Sequence, residues 1–534
     1  MITLFKNGKV FISKSKFVSE FAVDDVTGKF VYVESENKKP DFDHTIDLKQ
    51  NLVIPAFFDA HCHLFKASQI NSELNLRNAK TKSDFEQEIL KYINNRIKSP
   101  FGGGFRGRIQ SPWITGGYYS DANISDGFTP DINFLDQICP DIPIIISRFD
   151  FHSAYINSKA FELSGLINCI DKFEKEEIIH DDKGKFTGLV KERAREFVLS
   201  AVPVKSNEEL AKDLETEIKK LHSLGITAVS DITLPFDLDI FEILIRKNNL
   251  NLFIDSRLPF ESFYEIENYK KRFSEFKNSI RFNGFKAFYD GTLSSESALM
   301  HDNYIGTNQN GIRTDYILSG DFKKTGENIH HAGYQISVHA IGDLAVTELL
   351  DFFSELKHEK INTASEKYNS RYRIEHAQHI IDKDLKKFKK LNVVASVQPT
   401  HLFSDAISVT KKYENLKTTH RYKQLIEDGA TVCFGTDFPI VEENPFETIY
   451  YAMTRKAIGF ENGFLPEYNI SLGDCITCYT QNSAYASFLE SERGSISVNK
   501  IADFLILEDL FQMSPESLRT QTPIETYLYA KKVF

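Results

Sequence analysis

What the 534-residue chain has little of narrows its class first. Six cysteines are too sparse for a disulfide scaffold, so a reducing, cytoplasmic setting is expected. No stretch approaches the ~18 uncharged apolar residues that a membrane span needs. The opening MITLFKNGKVFISKSKF lacks a continuous apolar core and a small-residue cleavage site, so no secretory leader is expected. A basic excess is missing as well. Lys and Arg total 64 against 75 Asp and Glu, a formal net charge of −11. Without a basic footprint, neither nucleic acid nor an anionic membrane surface is an expected partner. The glycine run at 102–104 is followed by no GK[ST], which excludes a phosphate-binding P-loop. No G-x-S-x-G elbow occurs, which disfavours a serine-hydrolase mechanism. Internal repeats and low-complexity tracts are absent. A small-molecule substrate remains the expected partner, and homo-oligomerisation stays open.

What is there reads as a globular chain, 41% hydrophobic and 26% charged. The N-terminal stretch (ITLFKNGKVFI, KFVYVES, HTIDLKQNLVIP) and the C-terminal one (GSISVNKIADFLILEDL, PIETYLYAKKVF) are both strand-rich with turn residues between. Neither buries much core alone, so residues 1–52 and 490–534 are expected to build one small β-sandwich, with two independent β-caps as the alternative. Between them, 53–489 alternates apolar strands with amphipathic helices. The strands fall at 51–63, 225–231, 251–258, 281–290, 334–340, 371–377, 392–399 and 430–437. Continuous apolar strands separated by helices imply a parallel sheet covered on both faces. Eight of them fit a closed (β/α)8 barrel of the α/β class, with an open doubly wound sheet as the alternative. One connection breaks the rhythm. Residues 65–204, rich in glycine and aromatics, follow the first strand and are expected to emerge at the catalytic face as a cap over the active site, or else to form a decorating or oligomerising domain.

Chemistry gathers at the strand ends. In Asp59-Ala-His61-Cys-His63, residues two apart share a face of the strand, so His61 and His63 offer two imidazoles to one ion while Cys62 points away. His339 (QISVHA), His376 (YRIEHA) and Asp437 (VCFGTD) each close another apolar strand. Four imidazoles and a carboxylate at C-terminal strand ends suit Zn2+ above all, and also Mn2+, Fe2+ or Ni2+. Lys286 shares a strand face with Phe282, Gly284 and Phe288 and is expected to face the barrel interior. It either snorkels or pairs with Asp290, or, with a lowered pKa, stays neutral and takes up CO2 as a carbamate that binds metal. His379 reads as a surface or outer-shell residue, and Cys475 and Cys478, without a second CxxC, as core.

The strand order of His61-x-His63, Lys286, His339, His376 and Asp437 resembles the amidohydrolase superfamily, in particular its YtcJ-like branch, which includes N-substituted formamide deformylases. The segments FFDAHCH, RFDFHSAYINSKAF, GFKAFYDGTLSSESA, SVHAIGDLAV, RIEHAQHI, GTDFPI and GSISVNKIADFLIL carry that resemblance over nearly the whole chain. It implies a hydrolase with one or two divalent ions, a carboxylated Lys286 and water activation near Asp437. It also implies substrate contacts from the insertion, at Tyr118 (beside Tyr119), His152 and Asn157. DGTLSSESALM, with Glu296 where the branch often has Arg, and GTDFP for the commoner GSDWP are departures. They leave the metal set intact and bear on the substrate. The expected reaction is hydrolysis of a C–N bond in an amide, N-formyl or cyclic amide group, with Asp437 as the proton carrier. The alternatives are an ester, a deaminated amidine carbon, or a non-catalytic scaffold on the same fold.

Overall fold

The apolar run at 51–63 feeds two sheets. In the computed structural model, which describes residues 1–98, 113–148, 152–358 and 370–534, Leu52–Pro55 pairs antiparallel with Phe504–Leu507 and parallel with Lys9–Ser13. Phe57–Cys62 starts the barrel. The switch takes one step, because Ala56 N donates to Asp503 O and Phe57 N to Gly225 O, each at 3.0 Å. Both segments are buried throughout, and a run buried on both faces has no periodicity to mark where it changes sheets. The glycine run at 102–104 lies outside the described residues.

Two sheets are built from the chain ends. One orders Lys29–Val33, Phe21–Asp24, Ile2–Lys6 and His44–Asp47; the other joins Lys9–Ser13, Lys16–Val18 and Leu52–Pro55 to Phe504–Leu507, Glu525–Leu528 and Lys531–Lys532. Their apolar faces share one core, in which Phe5, Phe21, Phe30 and Val53 pack with Phe504 and Tyr527. The Phe504 and Tyr527 rings stack at 4.4 Å and those of Phe5 and Phe21 at 4.9 Å. A sandwich assembled from both termini, not a pair of caps, is the result.

The barrel strands are β1 (Phe57–Cys62), β2 (Ile226–Ile232), β3 (Phe253–Pro259), β4 (Ile280–Phe288), β5 (Gln335–Ala340), β6 (Arg373–His376), β7 (Val394–Val397) and β8 (Val432–Phe434). Each pairs parallel with the next. The ring closes just past β8, where Asp437 N donates to His61 O and His63 N to Phe438 O, both at 2.8 Å. Gly435 is required at that crossing. A Cβ there would stand 2.5 Å from His61 N, so no larger residue lets the backbone pass this close.

The described chain divides into two compact units, Met1–Phe65 with Glu215–Phe534, and Lys66–Leu214. The second has its own six-stranded mixed sheet, ordered Ile178–His180, Phe186–Lys191, Ser153–Ile156, Ile145–Arg148, Gly116–Tyr119, Leu74–Asn75. It has its own cores, around Phe85, Tyr119 and Leu135 and around Trp113, Ile145 and Val198.

Candidate metal centre

The C-terminal ends of the barrel strands meet in a cluster of nitrogen donors around one carboxylate. Asp59 locks its two sides together. Its carboxylate accepts from His61 N at 3.0 Å, from Thr436 N at 3.1 Å and from the Thr436 hydroxyl at 2.6 Å, tying β1 to the segment after β8. Burial pushes Asp59 up to about 7. Asp437 and His376 both sit in left-handed backbone, with φ of 63° and 74°. Such conformations in non-glycine residues cost about 1–3 kcal/mol and persist where the surroundings hold them. Here the Asp437 N–H to His61 O bond is part of that hold.

Asp437 Oδ1 lies 3.2 Å from His63 Nε2 and 3.5 Å from His61 Nε2. One donor atom each from His61, His63 and Asp437 falls within a 4.8 Å span, and the same holds for His376, His401 and Asp437. The far nitrogens of two of these rings are engaged from behind. His61 Nδ1 meets Glu375 Oε2 at 2.7 Å, and His376 Nδ1 meets Gln398 Oε1 at 2.8 Å. Each contact places a proton on Nδ1 and turns the Nε2 lone pair toward the cluster, the arrangement found behind metal-binding histidines. Glu375 is itself paired with Arg373 at 2.9 Å. Against the upward push of burial, Arg373 and His61 hold its carboxyl well below the usual range.

Burial depresses three of the imidazoles. It lowers His61 against the pull of Glu375 and Asp437, brings His339 down to about 3 with help from Lys286, and drives His376 well below its ordinary value, with His339 and His61 adding to it. Asp437 goes the other way, since despite burial His61, His63 and His401 hold it at about 2. Neutral imidazoles facing a carboxylate anion are the protonation states a cation needs from its ligands.

Lys286 is buried, and burial lowers its amine to about 8. Its Nζ donates to Ala287 O at 3.2 Å and lies 3.7 Å from the centre of the Phe288 ring. Asp290 is engaged elsewhere, accepting the N–H groups of Leu299, Ile341 and Gly342. The His339 ring stands 4.5 Å from that of His376, with Nε2 directed at Gly291 O at 3.2 Å. Lys286 and His339 thus adjoin the two donor sets without belonging to either.

Within the second unit, the Tyr118 hydroxyl donates to Glu73, and His152 Nδ1 faces Glu192 at 3.2 Å on an exposed surface. Asn157 is buried and fully committed. Its oxygen accepts from Ile144 N and Ala160 N, and its nitrogen donates to Cys139 O and Ile142 O, which leaves its amide no atom for a substrate. His379 is not on the surface but buried, its Nδ1 3.4 Å from the Thr418 hydroxyl. Cys475 and Cys478 are buried free thiols.

Sequence reasoning passed over His401. It closes the short turn Pro399–His401 beyond β7, four residues past the strand end, where strand patterning no longer says which way a side chain faces. The signal available was a histidine shortly after a seventh apolar strand in the series that carries the other candidate donors.

A sequence profile of the amidohydrolase family matches residues 44–534. The chain belongs to the amidohydrolase family. Protein LONG AFTER FAR-RED 3 of Arabidopsis thaliana is 29% identical, over 94% of this chain and 86% of that protein. The N-substituted formamide deformylase of Arthrobacter pascens is 22% identical, over 90% and 88%. In fold, a metal-dependent hydrolase of Pyrococcus furiosus superposes with a TM-score of 0.70 at 24% identity, covering 96% of this chain and all of that one. The donors of this amidohydrolase fit a divalent cation on their own chemistry. They are imidazole nitrogens and a carboxylate, and His401 Nε2 is buried without a hydrogen-bond partner.

Proposed function

We propose that the protein is a zinc-dependent amidohydrolase that cleaves a C–N bond of a small amide, N-formyl compound or cyclic amide. The observation that supports this best is the convergence of His61, His63 and Asp437, with both Nδ1 positions of His61 and His376 engaged from behind. His61, His63 and Asp437 would hold one ion. His376, His339 and a carbamate on Lys286 would hold a second. A neutral lysine amine can take up CO2, and the lowered pKa of Lys286 favours that form. A divalent cation here supplies Lewis acidity toward water and toward the substrate carbonyl.

The chain's own residues do the rest. Asp437, anionic above about pH 2, takes the proton of the attacking water and returns it to the departing nitrogen. Glu375 keeps His61 in one tautomer, and Asp59 holds β1 and the Asp437 segment in register. The Phe288 ring, half exposed beside Lys286 and 5.4 Å from the His339 ring, offers an apolar wall to a substituent. The amide preference draws further support from the deformylase relative, whose name records C–N chemistry.

A substrate panel tests the reading. N-formyl amines, N-acyl amines and cyclic amides should be hydrolysed by the zinc-loaded protein, with activity lost to a chelator and regained with Zn2+. Turnover of esters alone, or of amidines by deamination, would replace the C–N amide assignment.

A further inference from the structure

The turn after β7 places a buried imidazole against the oxygen of Asp437 that His61 and His63 leave free. His401 is 9% exposed, and its Nε2 has no hydrogen-bond partner. That nitrogen lies 3.6 Å from Asp437 Oδ2, whereas His61 and His63 face Oδ1 of the same carboxylate. An open Nε2 can offer a lone pair to a cation or a proton to an oxygen, and the rear of the ring decides which. Gln378, two residues past β6, brings its amide nitrogen to 3.4 Å from His401 Nδ1. The same side chain hydrogen-bonds the Asp405 carboxylate. A carboxylate only accepts, so the amide turns its nitrogen to that side and its N–H groups serve both Asp405 and His401 Nδ1. A neutral imidazole that accepts at Nδ1 carries its proton on Nε2, the opposite tautomer from the one set at His61 and His376.

We propose that His401 is a catalytic residue whose Nε2–H donates to the carbonyl oxygen of the substrate as that oxygen gains charge. The inference rests on the amide-hydrolysis reading of the site and adds to it a protein donor for the oxyanion. As the water oxygen bonds to the carbonyl carbon, the C=O π pair moves onto the carbonyl oxygen and Asp437 takes the water's proton. As the C–N bond breaks, the pair returns to the C=O bond and the proton passes to the departing nitrogen. His401 keeps its own proton throughout, and its hydrogen bond is strongest when the oxygen's charge is greatest. The placement suits two oxygens on one carbon. The oxygen from water faces the base and the carbonyl oxygen faces the donor, so base and donor must stand side by side without bonding each other. Asp437 Oδ2 and His401 Nε2 do so at 3.6 Å, where a hydrogen bond between them would close to about 2.9 Å.

The test has two arms on the zinc-loaded full-length protein. The first reads the tautomer by long-range 1H–15N correlation in 15N-histidine-labelled protein, the His401 signal being the one absent from His401→Phe or His401→Gln. It should show the proton on Nε2. A proton on Nδ1 overturns the proposal and leaves the metal reading standing. The second follows hydrolysis of the N-formyl, N-acyl and cyclic amide panel in wild type and both variants, beside zinc content and melting temperature. His401→Phe should keep its zinc and its melting temperature and lose about 10^2–10^3-fold in kcat with KM little changed, the scale of a removed oxyanion donor. His401→Gln, which retains an N–H, should lose less. A kcat within tenfold of wild type in His401→Phe, or zinc lost in step with activity, overturns the proposal. A wild type that binds zinc and hydrolyses no member of the panel overturns the amide reading, and this proposal with it.

Discussion

The barrel interior holds two layers of buried polar groups that differ in how their charges are matched. The layer toward the N-terminal ends of the strands contains Asp255, Arg257, Arg373 and Glu375, all fully buried. Each acid there meets a guanidinium, Asp255 with Arg257 at 2.7 Å and Glu375 with Arg373 at 2.9 Å. Gln335 and Ser337 take further Arg257 N–H groups. The layer at the C-terminal ends sets His61, His63, His339, His376, His401 and Lys286 around Asp437. Bases outnumber acids there, and His401 Nε2 lacks a hydrogen-bond partner. The N-terminal layer is matched in charge, two acids to two guanidinium groups, although Arg257 Nε, Arg373 Nε and Glu375 Oε1 make no hydrogen bond either. The C-terminal layer, with more imidazoles than carboxylates, has lone pairs that a divalent cation would satisfy.

The largest effect is expected at Asp437. Asp437→Asn retains a ligand oxygen and removes the base, so kcat should fall by about 10^2–10^4-fold while the metal-free protein melts where the wild type does. Unchanged turnover with normal metal content would move proton transfer to another residue. In the matched layer the expected loss is of stability. Arg373→Met strands Glu375 without its guanidinium and should destabilise folding by about 3–5 kcal/mol in denaturant titrations of the metal-free chain. A destabilisation below about 1 kcal/mol would show that the pair is not closed in the sense argued here.

Glu375 links the layers, since it accepts from His61 and pairs with Arg373. Glu375→Gln should lower metal affinity by about 10–100-fold, the usual effect of removing a carboxylate behind a ligating histidine. Affinity unchanged on calorimetric titration would mean that His61 is held by packing alone.

The smallest effect separates a paired acid from a lone one by pH. Glu375, held low by Arg373, contributes stability that is present above the unfolded value of ~4.3 and lost as pH falls. Asp237 is the reverse case. Burial, then Asp231, pushes it up to about 7, and its carboxylate accepts only the Leu234 N–H among the hydrogen bonds described. Its stabilisation is full below the unfolded value of ~3.9 and is lost as pH rises toward 7. Asp237→Asn keeps an oxygen for Leu234 N, so it should melt a few degrees above the wild type at pH 8 and lose that advantage near pH 4. A difference constant across that range would remove the raised carboxyl from the account.

Most of the C-terminal layer was legible from sequence because barrel strands announce their ends. An apolar run followed by a polar residue placed His61, His63, His339 and His376, and the i, i+2 rule oriented the first pair. Lys286 was legible through its phase with Gly284 and Phe288. The matched layer was not, because Arg257, Arg373 and Glu375 sit inside strands whose polar residues look like solvent-facing positions until the barrel closes over them. His401 and the left-handed turn at Asp437 escaped for a related reason. Both lie three or more residues beyond their strands, where turn geometry and not strand phase directs the side chain. The sheet change at Ala56 was hidden by uniform burial. The side-chain commitments of Asn157 could not be read at all, since all four of its partners are backbone groups of residues 139–160 brought together only in the fold.

If the layer around Asp437 is a metal centre, the full-length protein carries bound zinc. Elemental analysis of the full-length protein, produced with zinc in the medium and freed of loosely bound ions, tests it most directly. The account predicts at least one zinc ion per chain in the wild type and in Asp237→Asn, and next to none in the His61→Ala, His63→Ala double variant with its fold intact. A wild-type protein without bound metal, or a double variant that retains the full complement, would contradict it.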